Sequence, residues 1–385
     1  MLEKLRYLTA GESHGKGLLG IIDGIPAHLE ISEEYIRYQL SRRQRGHGRS
    51  NRMKIESDFA ELYCGVRQGR TNGGPIGLII NNKDYKNWSE CMSVEKNDYS
   101  KKVTLPRPGH ADLAGTMKFG FDDIRDVIER SSARETAMRV AISSICRKML
   151  EDLAIQFCSR VIRIHNVVDN SKVDFSKSLS KTNLLIDKSD VRCLDKKVEQ
   201  KMIDTIDKAK KNGDSVGGII EIYCTGLPFG LGSYTQWDKK LQSKISESLL
   251  SINAFKGIEF GMGFDAASNL GSDVHDEIII DNKKLGRRTN NAGGIEGGMS
   301  NTQPLAIRLS MKPIPTLTKP LDSVDIQTNS ASKAHRERTD SCAVPAASII
   351  AENLLCVVIA DAVLSKFGGD SIDQLKSHIE QSGKF

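Results

Sequence analysis

The feature that most constrains the fold is the apolar run at residues 343–364, the longest in this 385-residue chain. It is long enough to cross a bilayer, but it contains Glu352, Asn353 and Asp361, and such polar groups are costly in lipid. Pro345 stands where the first turn of a helix would lie, a position that tolerates proline. We therefore predict a core helix that the rest of the chain surrounds, and no membrane span.

The composition supplies the material to surround such a helix. Hydrophobic residues make up 39% and charged residues 27% of the chain, which excludes wholesale disorder. The length allows two or three domains, but no internal repeat or sharp change of composition marks a boundary. Helical and strand patterns alternate, so we predict one large α/β domain of the α+β type. Its expected span is 1–375, with 166–214 as a peripheral elaboration and 376–385 as a C-terminal tail.

The cysteines indicate a reducing compartment. All eight are scattered singly, and no C-x-x-C pair occurs, so we expect reduced, mostly buried thiols and neither a disulfide framework nor a zinc knuckle. The first fifteen residues contain no apolar segment of signal-peptide length. We predict a cytoplasmic protein without a metal site.

Apolar spacing predicts several local elements. The predictions are a helix from near Ser32 to Gly46, a helix from Ser132 to Leu153, a helix over 198–209, a strand over 216–223 and a helix ending near Asn253.

Two short glycine motifs near the N-terminus lack the neighbouring secondary structure that their usual functions require. Residues 11–15 match G-x-S-x-G, but too little chain precedes Ser13 to build the sheet that a nucleophile elbow requires. Residues 15–20 match G-x-G-x-x-G, but the segment that follows reads as strand and turn, whereas a dinucleotide site needs a helix there. We interpret both matches as coincidence.

Two histidines lie in unusual local settings. His14 is flanked by Ser13 and Gly15, in a turn where the backbone can approach a ligand closely. His110 follows Pro108 and Gly109 in a constrained loop beside Arg107. A solvated loop histidine is equally consistent with the second motif, and a lone histidine is more often structural than catalytic.

An acid-free basic segment lies at residues 37–54, where seven Arg and Lys residues occur without one Asp or Glu. A solvated helix face normally mixes both signs of charge. Nucleic-acid binding is an alternative, but Tyr35 and Tyr38 are the only aromatic side chains nearby. A pocket for a small polyanion suits guanidinium groups that pair bidentately with carboxylates and phosphates. Further arginines in glycine- or serine-rich or otherwise special settings favour the pocket: Arg107, Arg130, Arg134, Arg139 and Arg338.

Two further segments permit two interpretations each. Ser131 and Ser132 precede the predicted helix ending at Leu153, so they are either a plain N-cap or part of an anion site at a helix N-terminus. Asp340 directly precedes the apolar run, and its default role is that of a capping carboxylate.

Taken together, the motifs resemble those of the chorismate synthase family, in the order that family has them. The likeness runs from Leu5 to beyond Ala362. The matching segments are TAGESHG at 9–15, RRQRGHGR at 42–49, RPGHADLAG at 107–115, ERSSARETAMRVA at 129–141, INAFKGIEFG at 252–261, GGIEGGMSN at 293–301, KPIPT at 312–316 and RTDSCAVPAA at 338–347.

The resemblance implies a reaction and a fold. The family converts 5-enolpyruvylshikimate 3-phosphate to chorismate by anti-1,4-elimination of phosphate and the C6 pro-R hydrogen, and it requires reduced FMN without net redox change. Its fold is a β-α-β sandwich with helices between antiparallel sheets, and its members are homotetramers. The ordinary length of this chain suits the monofunctional type, which takes reduced FMN from an external flavin reductase. NADPH, used by fungal members, is the alternative reductant.

The resemblance also implies residue roles. His14 protonates the departing phosphate, His110 protonates the N1 side of the flavin, and Asp340 works with flavin N5 in removing the C6 proton. The implied FMN contacts are Arg130, Ser131, Ser132, Asn253, Ala254, Gly297, Lys312, Pro313, Ile314, Pro315, Thr316 and Arg338. The implied substrate contacts are Ser13, Arg43, Arg49, Arg52, Arg107 and Arg134.

The chain departs from the family pattern in two loops. Ser50 and Asn51 stand where a glycine pair is common, and Thr302 stands where glycine is usual. Both departures concern local backbone geometry.

Overall fold

Two antiparallel sheets and the helices between them form the frame of the protein. The computed structural model describes residues 2–49, 57–281 and 284–382. The helices in these ranges are α1 (Glu33–Gln44), α2 (Asp112–Phe119), α3 (Arg125–Ser131), α4 (Thr136–Asp152), α5 (Leu179–Ile186), α6 (Lys196–Lys211), α7 (Leu241–Leu250), α8 (Gly271–Val274), α9 (Val344–Phe367) and α10 (Ile372–Gln381).

In the part of the chain that the structure describes, nine strands make the two sheets. The first has the order β1-β2-β6-β3, with β1 (Arg6–Gly11), β2 (Gly17–Asp23), β3 (Glu61–Cys64) and β6 (Ile76–Asn81). The second has the order β10-β15-β9-β7-β8, with β7 (Gln156–Ile164), β8 (Val167–Val168), β9 (Gly218–Thr225), β10 (Phe255–Phe260) and β15 (Leu305–Met311). Four two-stranded ribbons pair β4 (Val66–Arg67) with β5 (Arg70–Thr71), β11 (Ile278–Asp281) with β12 (Lys284–Arg287), β13 (Ile295–Glu296) with β14 (Met299–Ser300), and β16 (Asp322–Asp325) with β17 (Ser330–Lys333).

The helices fill the space between the sheets in two packed layers. Helix α4 covers β2 and β6 of the four-stranded sheet, and α9 covers β7 and β9 of the five-stranded sheet. The two helices pack against each other, and α1 contacts both. Strand β2 alternates accordingly, with Leu18 and Ile22 buried and Leu19 and Ile21 exposed. The predicted α+β sandwich is confirmed.

The apolar run forms α9, with Pro345 in its first turn. Every residue from 344 to 364 is buried. The helix is long and apolar enough to cross a membrane, but its most apolar window is enclosed by the protein. The predicted core helix is confirmed, and α9 is not a membrane span.

The local elements follow the predictions with shifted ends. Ser32 caps α1 by accepting a hydrogen bond from the backbone N–H of Tyr35 at 3.2 Å. The predicted helix at 198–209 is α6, and the predicted strand at 216–223 is β9. The helix predicted from Ser132 begins later, because a short 3-10 turn at Ala133–Glu135 precedes α4.

In the segment 166–214, α5 packs against β7 and β9 of the five-stranded sheet, and α6 packs against β8. Leu179 and Ile186 form a small cluster with Cys158 there, while Met202 and Ile206 of α6 reach the main core. At the other end of the chain, the boundary expected between residues 375 and 376 falls inside α10, whose Leu375 is buried. All eight cysteines lie in described residues, are unpaired, and six of them are buried.

The two buried carboxylates of α9, Glu352 and Asp361, pair with groups from other elements. Glu352 Oε1 accepts hydrogen bonds from Arg42 at 2.9 Å, from Asn183 at 2.9 Å and from Arg147. Burial alone would raise the pKa of Glu352, but the charges of Arg42, Arg147 and Arg192 hold it well below its ordinary value. One buried carboxylate therefore joins α1, α4, α5 and α9.

Asp361, near the C-terminal end of α9, binds the backbone of the first residues of the chain. Its Oδ1 accepts from the backbone N–H groups of Glu3, Lys4 and Leu5 at 2.9, 2.7 and 3.0 Å. The carboxylate is fully buried, so these bonds satisfy an acceptor that water cannot reach.

We expect Asp361→Asn to lower the free energy of unfolding by about 2 kcal/mol, because the amide removes the charge and turns a donor toward the N-terminal N–H groups. Urea-induced unfolding followed by circular dichroism measures this change. Asp204→Asn, an exposed change on α6, is the matched control and should shift stability by less than about 0.5 kcal/mol. Equal effects of the two variants would contradict the assigned role of Asp361.

Candidate active site

The predicted site residues converge on one cleft of about 530 Å³. Those that line it are Ser13, His14, Arg43, Arg49, Arg107, His110, Ser131, Ser132, Arg134, Asn253, Ala254, Lys312, Ile314, Pro315, Thr316, Arg338 and Asp340. They come from segments as far apart in sequence as the β1–β2 turn and the loop before α9. This juxtaposition is the first structural support for the pocket interpretation of the dispersed arginines.

A larger groove of about 820 Å³ lies between β1 and α7. Its walls are mainly apolar, with Leu5, Tyr7 and Val357 among them, and neither His14 nor His110 reaches it. We place the chemistry in the smaller cleft, because titratable groups and cations converge there.

His14 lies in the tight turn that joins β1 to β2. Gly11 precedes the turn at φ +105°, where an added Cβ would lie 2.3 Å from the carbonyl oxygen of Gly17, so glycine is required. His14 is buried, and its Nδ1 lies 2.9 Å from Glu129 Oε1. A strand follows the turn and no helix does, which confirms the rejection of the nucleophile-elbow and dinucleotide motifs.

His110 is held by a buried carboxylate. Its Nδ1 lies 2.5 Å from Asp112 Oδ1, at the first residue of α2. Arg107 donates to both oxygens of Asp112, at 2.8 and 3.0 Å. Burial would raise the pKa of Asp112, but the hydrogen bonds from His110 and Arg107 hold it well below its ordinary value. The loop expected at 106–112 therefore ends in a helix start that positions the histidine.

Buried arginines concentrate positive charge on one wall. Arg43 and Arg134 both pair with Asp58, the former at 3.4 Å. Burial lowers the pKa of Arg43 to about 10. The positive charges of Arg49 and Arg134 also lower this pKa, whereas the negative charge of Asp58 raises it. Three guanidinium groups close to one another favour an anion in the cleft.

Asp340 does not cap α9, so its default interpretation is wrong. The N-cap position belongs to Ala343, which makes no side-chain cap. Asp340 instead lines the cleft, and its Oδ2 lies 2.9 Å from Arg49 Nη1. Pro345, in the first turn of the helix, lacks an N–H and so removes one of the backbone donors that a cap would satisfy.

The two serines lie at a junction and not at the N-terminus of the long helix. Ser131 ends α3, and Ser132 accepts from the N–H of Arg134 at 3.3 Å to cap the short 3-10 turn. Ser132 Oγ also donates to Ser13 Oγ at 3.1 Å. Asn253 donates to the carbonyl of Ser131 at 3.0 Å, which joins the α7–β10 loop to this junction.

Three of the implied contacts that lie in the described residues do not line the cleft. Arg130 is exposed and donates to the carbonyl oxygens of Gly11 and Thr9. Gly297 lies in the β13–β14 turn, and neither it nor Pro313 lines the cleft. Arg52 lies outside the described residues. Of the basic segment 37–54, Arg43 and Arg49 line the cleft, whereas Arg42 belongs to the buried Glu352 cluster.

Comparison with known proteins now decides the family. The family model for chorismate synthase matches residues 5–364, nearly the whole chain. The chain belongs to the chorismate synthase family. It is therefore a carbon–oxygen lyase, and the resemblance inferred from its motifs is confirmed. Nothing in the comparisons supports the nucleic-acid alternative.

Relatives and a solved structure agree with this assignment. The chorismate synthase of Listeria welshimeri is 52% identical over 383 residues, covering 98% of both chains. That of Alkaliphilus metalliredigens is 53% identical over 373 residues, covering 96% of this chain and 97% of the relative. A crystal structure of chorismate synthase matches with a TM-score of 0.80 at 37% identity, covering 99% of this chain and 98% of that one. The chorismate synthase family requires flavin in general.

One departure from the chorismate synthase pattern places a β-branched residue in a left-handed backbone conformation. Thr302 adopts φ +73°, a left-handed conformation that costs a β-branched residue free energy and that glycine adopts readily. The other departure, at Ser50 and Asn51, lies outside the described residues.

Proposed function

We propose that this protein converts 5-enolpyruvylshikimate 3-phosphate to chorismate and phosphate by anti-1,4-elimination in the described cleft, with reduced FMN and no net redox change. The observation that carries the proposal is the convergence of His14, His110 and Asp340 with a set of cations in one cleft. Those cations are Arg43, Arg49, Arg107, Arg134, Lys256, Lys312 and Arg338. A substrate with two carboxylates and a phosphate, beside a flavin phosphate, needs such a set.

The cleft also suits the flavin. Part of its lining is an apolar wall, formed by Leu250, Ile252, Phe255, Met311, Ala343, Ala346, Ala347 and Ile350, against which a flat ring system can pack. Ser131 Oγ lies buried at the same cleft and makes no hydrogen bond within the described residues. We assign FMN binding to Ser131, Ser132, Asn253, Ala254, Lys312, Ile314, Pro315, Thr316 and Arg338, with Arg130, Gly297 and Pro313 as further implied contacts.

Substrate anions are held by the arginine wall. Arg43, Arg49 and Arg134 surround one part of the cleft, and Ser13 presents a hydroxyl beside His14. Guanidinium forks fix carboxylate and phosphate oxygens in orientation as well as in position. Arg107 and Arg52 complete the proposed substrate contacts.

Three side chains handle protons. His14 donates a proton to the phosphate as the C3–O bond breaks, and the nearby guanidiniums stabilise the charge that develops on it. Asp340 takes part in removing the proton from C6, while His110 holds a proton toward the N1 side of the flavin. When bound, reduced FMN supplies an electron-rich ring that assists the elimination.

The same proposal covers the setting of the enzyme. We assign it to the cytoplasm and to the monofunctional type, with reduced FMN from an external reductase and NADPH as the alternative reductant. We also propose a homotetramer. Exposed apolar side chains on two surfaces support an assembly of copies: Leu8, at 77% exposure, with Leu19 and Ile21 on the four-stranded sheet, and Ile280, also 77% exposed, with Ile278 on the β11–β12 ribbon.

An anaerobic assay tests the activity. With dithionite-reduced FMN and 5-enolpyruvylshikimate 3-phosphate, we expect equal amounts of phosphate and chorismate, measured by phosphate release and by absorbance. Oxidised FMN without a reductant should give neither product. Absence of turnover with reduced FMN would refute the proposal. Turnover with NADPH and oxidised FMN alone would show that the chain reduces its own flavin and needs no external reductase.

A further inference from the structure

Glu129 lies directly behind the His14 turn and is not among the residues that line the cleft. It is 2% exposed, near the end of α3. Its main-chain carbonyl accepts from the N–H of Ser13 at 3.1 Å. Its side-chain Oε2 accepts from the N–H of His14 at 2.7 Å, and Oε1 lies 2.9 Å from His14 Nδ1. One residue thus holds both the backbone and the ring of the histidine.

The ring is also held on its face. Trp88 stacks on His14, with ring centroids 4.0 Å apart and planes inclined by 25°. Arg125 lies over the Trp88 ring at 5.1 Å and donates to Glu129 Oε1 at 3.3 Å. Stacking on Trp88 therefore fixes the plane of the imidazole ring, and the contact with Glu129 fixes how the ring is rotated within that plane.

The protonation of Glu129 determines which ring nitrogen carries a proton. Burial would raise the pKa of Glu129, but hydrogen bonds and charge from His14, together with the charge of Arg125, keep it below its ordinary value. An ionised carboxylate only accepts hydrogen bonds. Nδ1 of His14 therefore carries the hydrogen in this bond, so a proton that His14 gives to a ligand in the cleft comes from Nε2.

We propose that Glu129 is a positioning residue of this enzyme, which orients His14 and holds its Nδ1 protonated so that proton transfer to phosphate proceeds through Nε2. The proposal rests on the role given to His14 above. Glu129 itself contacts neither the substrate nor the flavin in this arrangement.

Glu129→Gln gives a sharp test, because an amide cannot accept both hydrogen bonds. The N–H of His14 is an obligate donor, so the amide oxygen turns toward it and the amide NH₂ group faces Nδ1. Nδ1 must then accept, and the neutral ring places its proton on Nε2. We expect kcat to fall by about 10- to 100-fold, as is typical when a residue that orients a histidine is lost, with KM changed little.

The tautomer of His14 distinguishes the two possible roles of Glu129, because loss of a purely structural residue would leave that tautomer unchanged. ¹⁵N NMR of histidine-labelled protein, with His14 assigned by comparison with His14→Gln, should show protonated Nδ1 in the wild type and protonated Nε2 in Glu129→Gln. Asp126→Asn, on the same helix but exposed, is the matched control for loss of one charge and should keep both the wild-type tautomer and wild-type turnover.

Each outcome of these measurements either supports the proposed role of Glu129 or overturns it. Neutral His14 with a bare Nδ1 in the wild-type enzyme would overturn the proposal, whether or not the variant folds. Wild-type turnover in folded Glu129→Gln would overturn it as well. Failure of the wild type to form chorismate would count against the proposed function alone, because the NMR measurement reports the position of the proton without any turnover.

Discussion

Asp340→Asn is expected to lower turnover by about 10²-fold or more, the usual loss when a general acid or base is removed. The side chain lines the cleft and lies 2.9 Å from Arg49. Asparagine has nearly the same shape, but it cannot take up a proton. Because the shape and most contacts remain, the loss should fall on kcat and leave KM nearly unchanged.

Steady-state kinetics with reduced FMN under anaerobic conditions measure this effect. The neutral side chain of Asp340→Asn also loses the ion pair with Arg49, so Arg49→Lys serves as the companion variant. It keeps the positive charge and weakens the paired geometry, and it should act mainly on KM. If Asp340→Asn raised KM and kept kcat, its role would be that of a partner for Arg49 and proton removal would need another group.

His110→Ala is the second large effect, again about 10²-fold or more on turnover. The imidazole lies at the cleft, and its Nδ1 lies 2.5 Å from Asp112. Alanine removes the proton carrier, while Asp112 keeps its paired hydrogen bonds from Arg107. The fold should therefore survive, since the buried carboxylate does not lose its main partner.

His378→Ala is the matched control, because this histidine is exposed on α10. Its turnover should stay within about twofold of the wild type, as is usual for surface changes. Thermal unfolding of both variants separates lost chemistry from lost stability. Wild-type turnover in folded His110→Ala would remove His110 from the mechanism.

Sequence patterns predicted the core helix and an anion pocket, and the family resemblance named most of the residues that line the cleft. Three polar residues in an apolar run indicated a core helix, because each would need a partner inside the protein. The absence of acids near Arg43 and Arg49 indicated an anion pocket. These inferences hold because they depend on local patterns or on chemistry that does not require knowing which residues meet.

The partners of the site residues could not be predicted in the same way. Asp58 meets Arg43 and Arg134, and Glu129 and Trp88 meet His14, only through tertiary packing. No spacing in the sequence signals such pairs. Asp112 was visible beside His110, but its part in holding the ring depends on the start of α2, which the proline- and glycine-rich loop did not indicate.

Arg42 and Asp340 show how a local pattern misleads. Arg42 shares the acid-free segment with Arg43, yet it projects about 100° away from it around the axis of α1 and pairs with Glu352 in the core. Asp340 has the sequence position of a helix cap, yet the helix begins at Val344. Rotation about a helix axis and the exact start of a helix decide function in both cases, and a sequence resolves neither well.

The bonds between Asp361 and residues 3–5 also bear on the order in which the chain can fold. They join positions at least 356 residues apart, so these bonds cannot form before the ribosome has made nearly the entire chain. The His14 turn belongs to the strand pair that follows these residues, and long-range contacts of this kind form late and slow the folding of a chain. A polypeptide that ends between Arg338 and Asp361 would accordingly carry every arginine of the cleft and still lack the bonds that hold the start of the strand before the His14 turn.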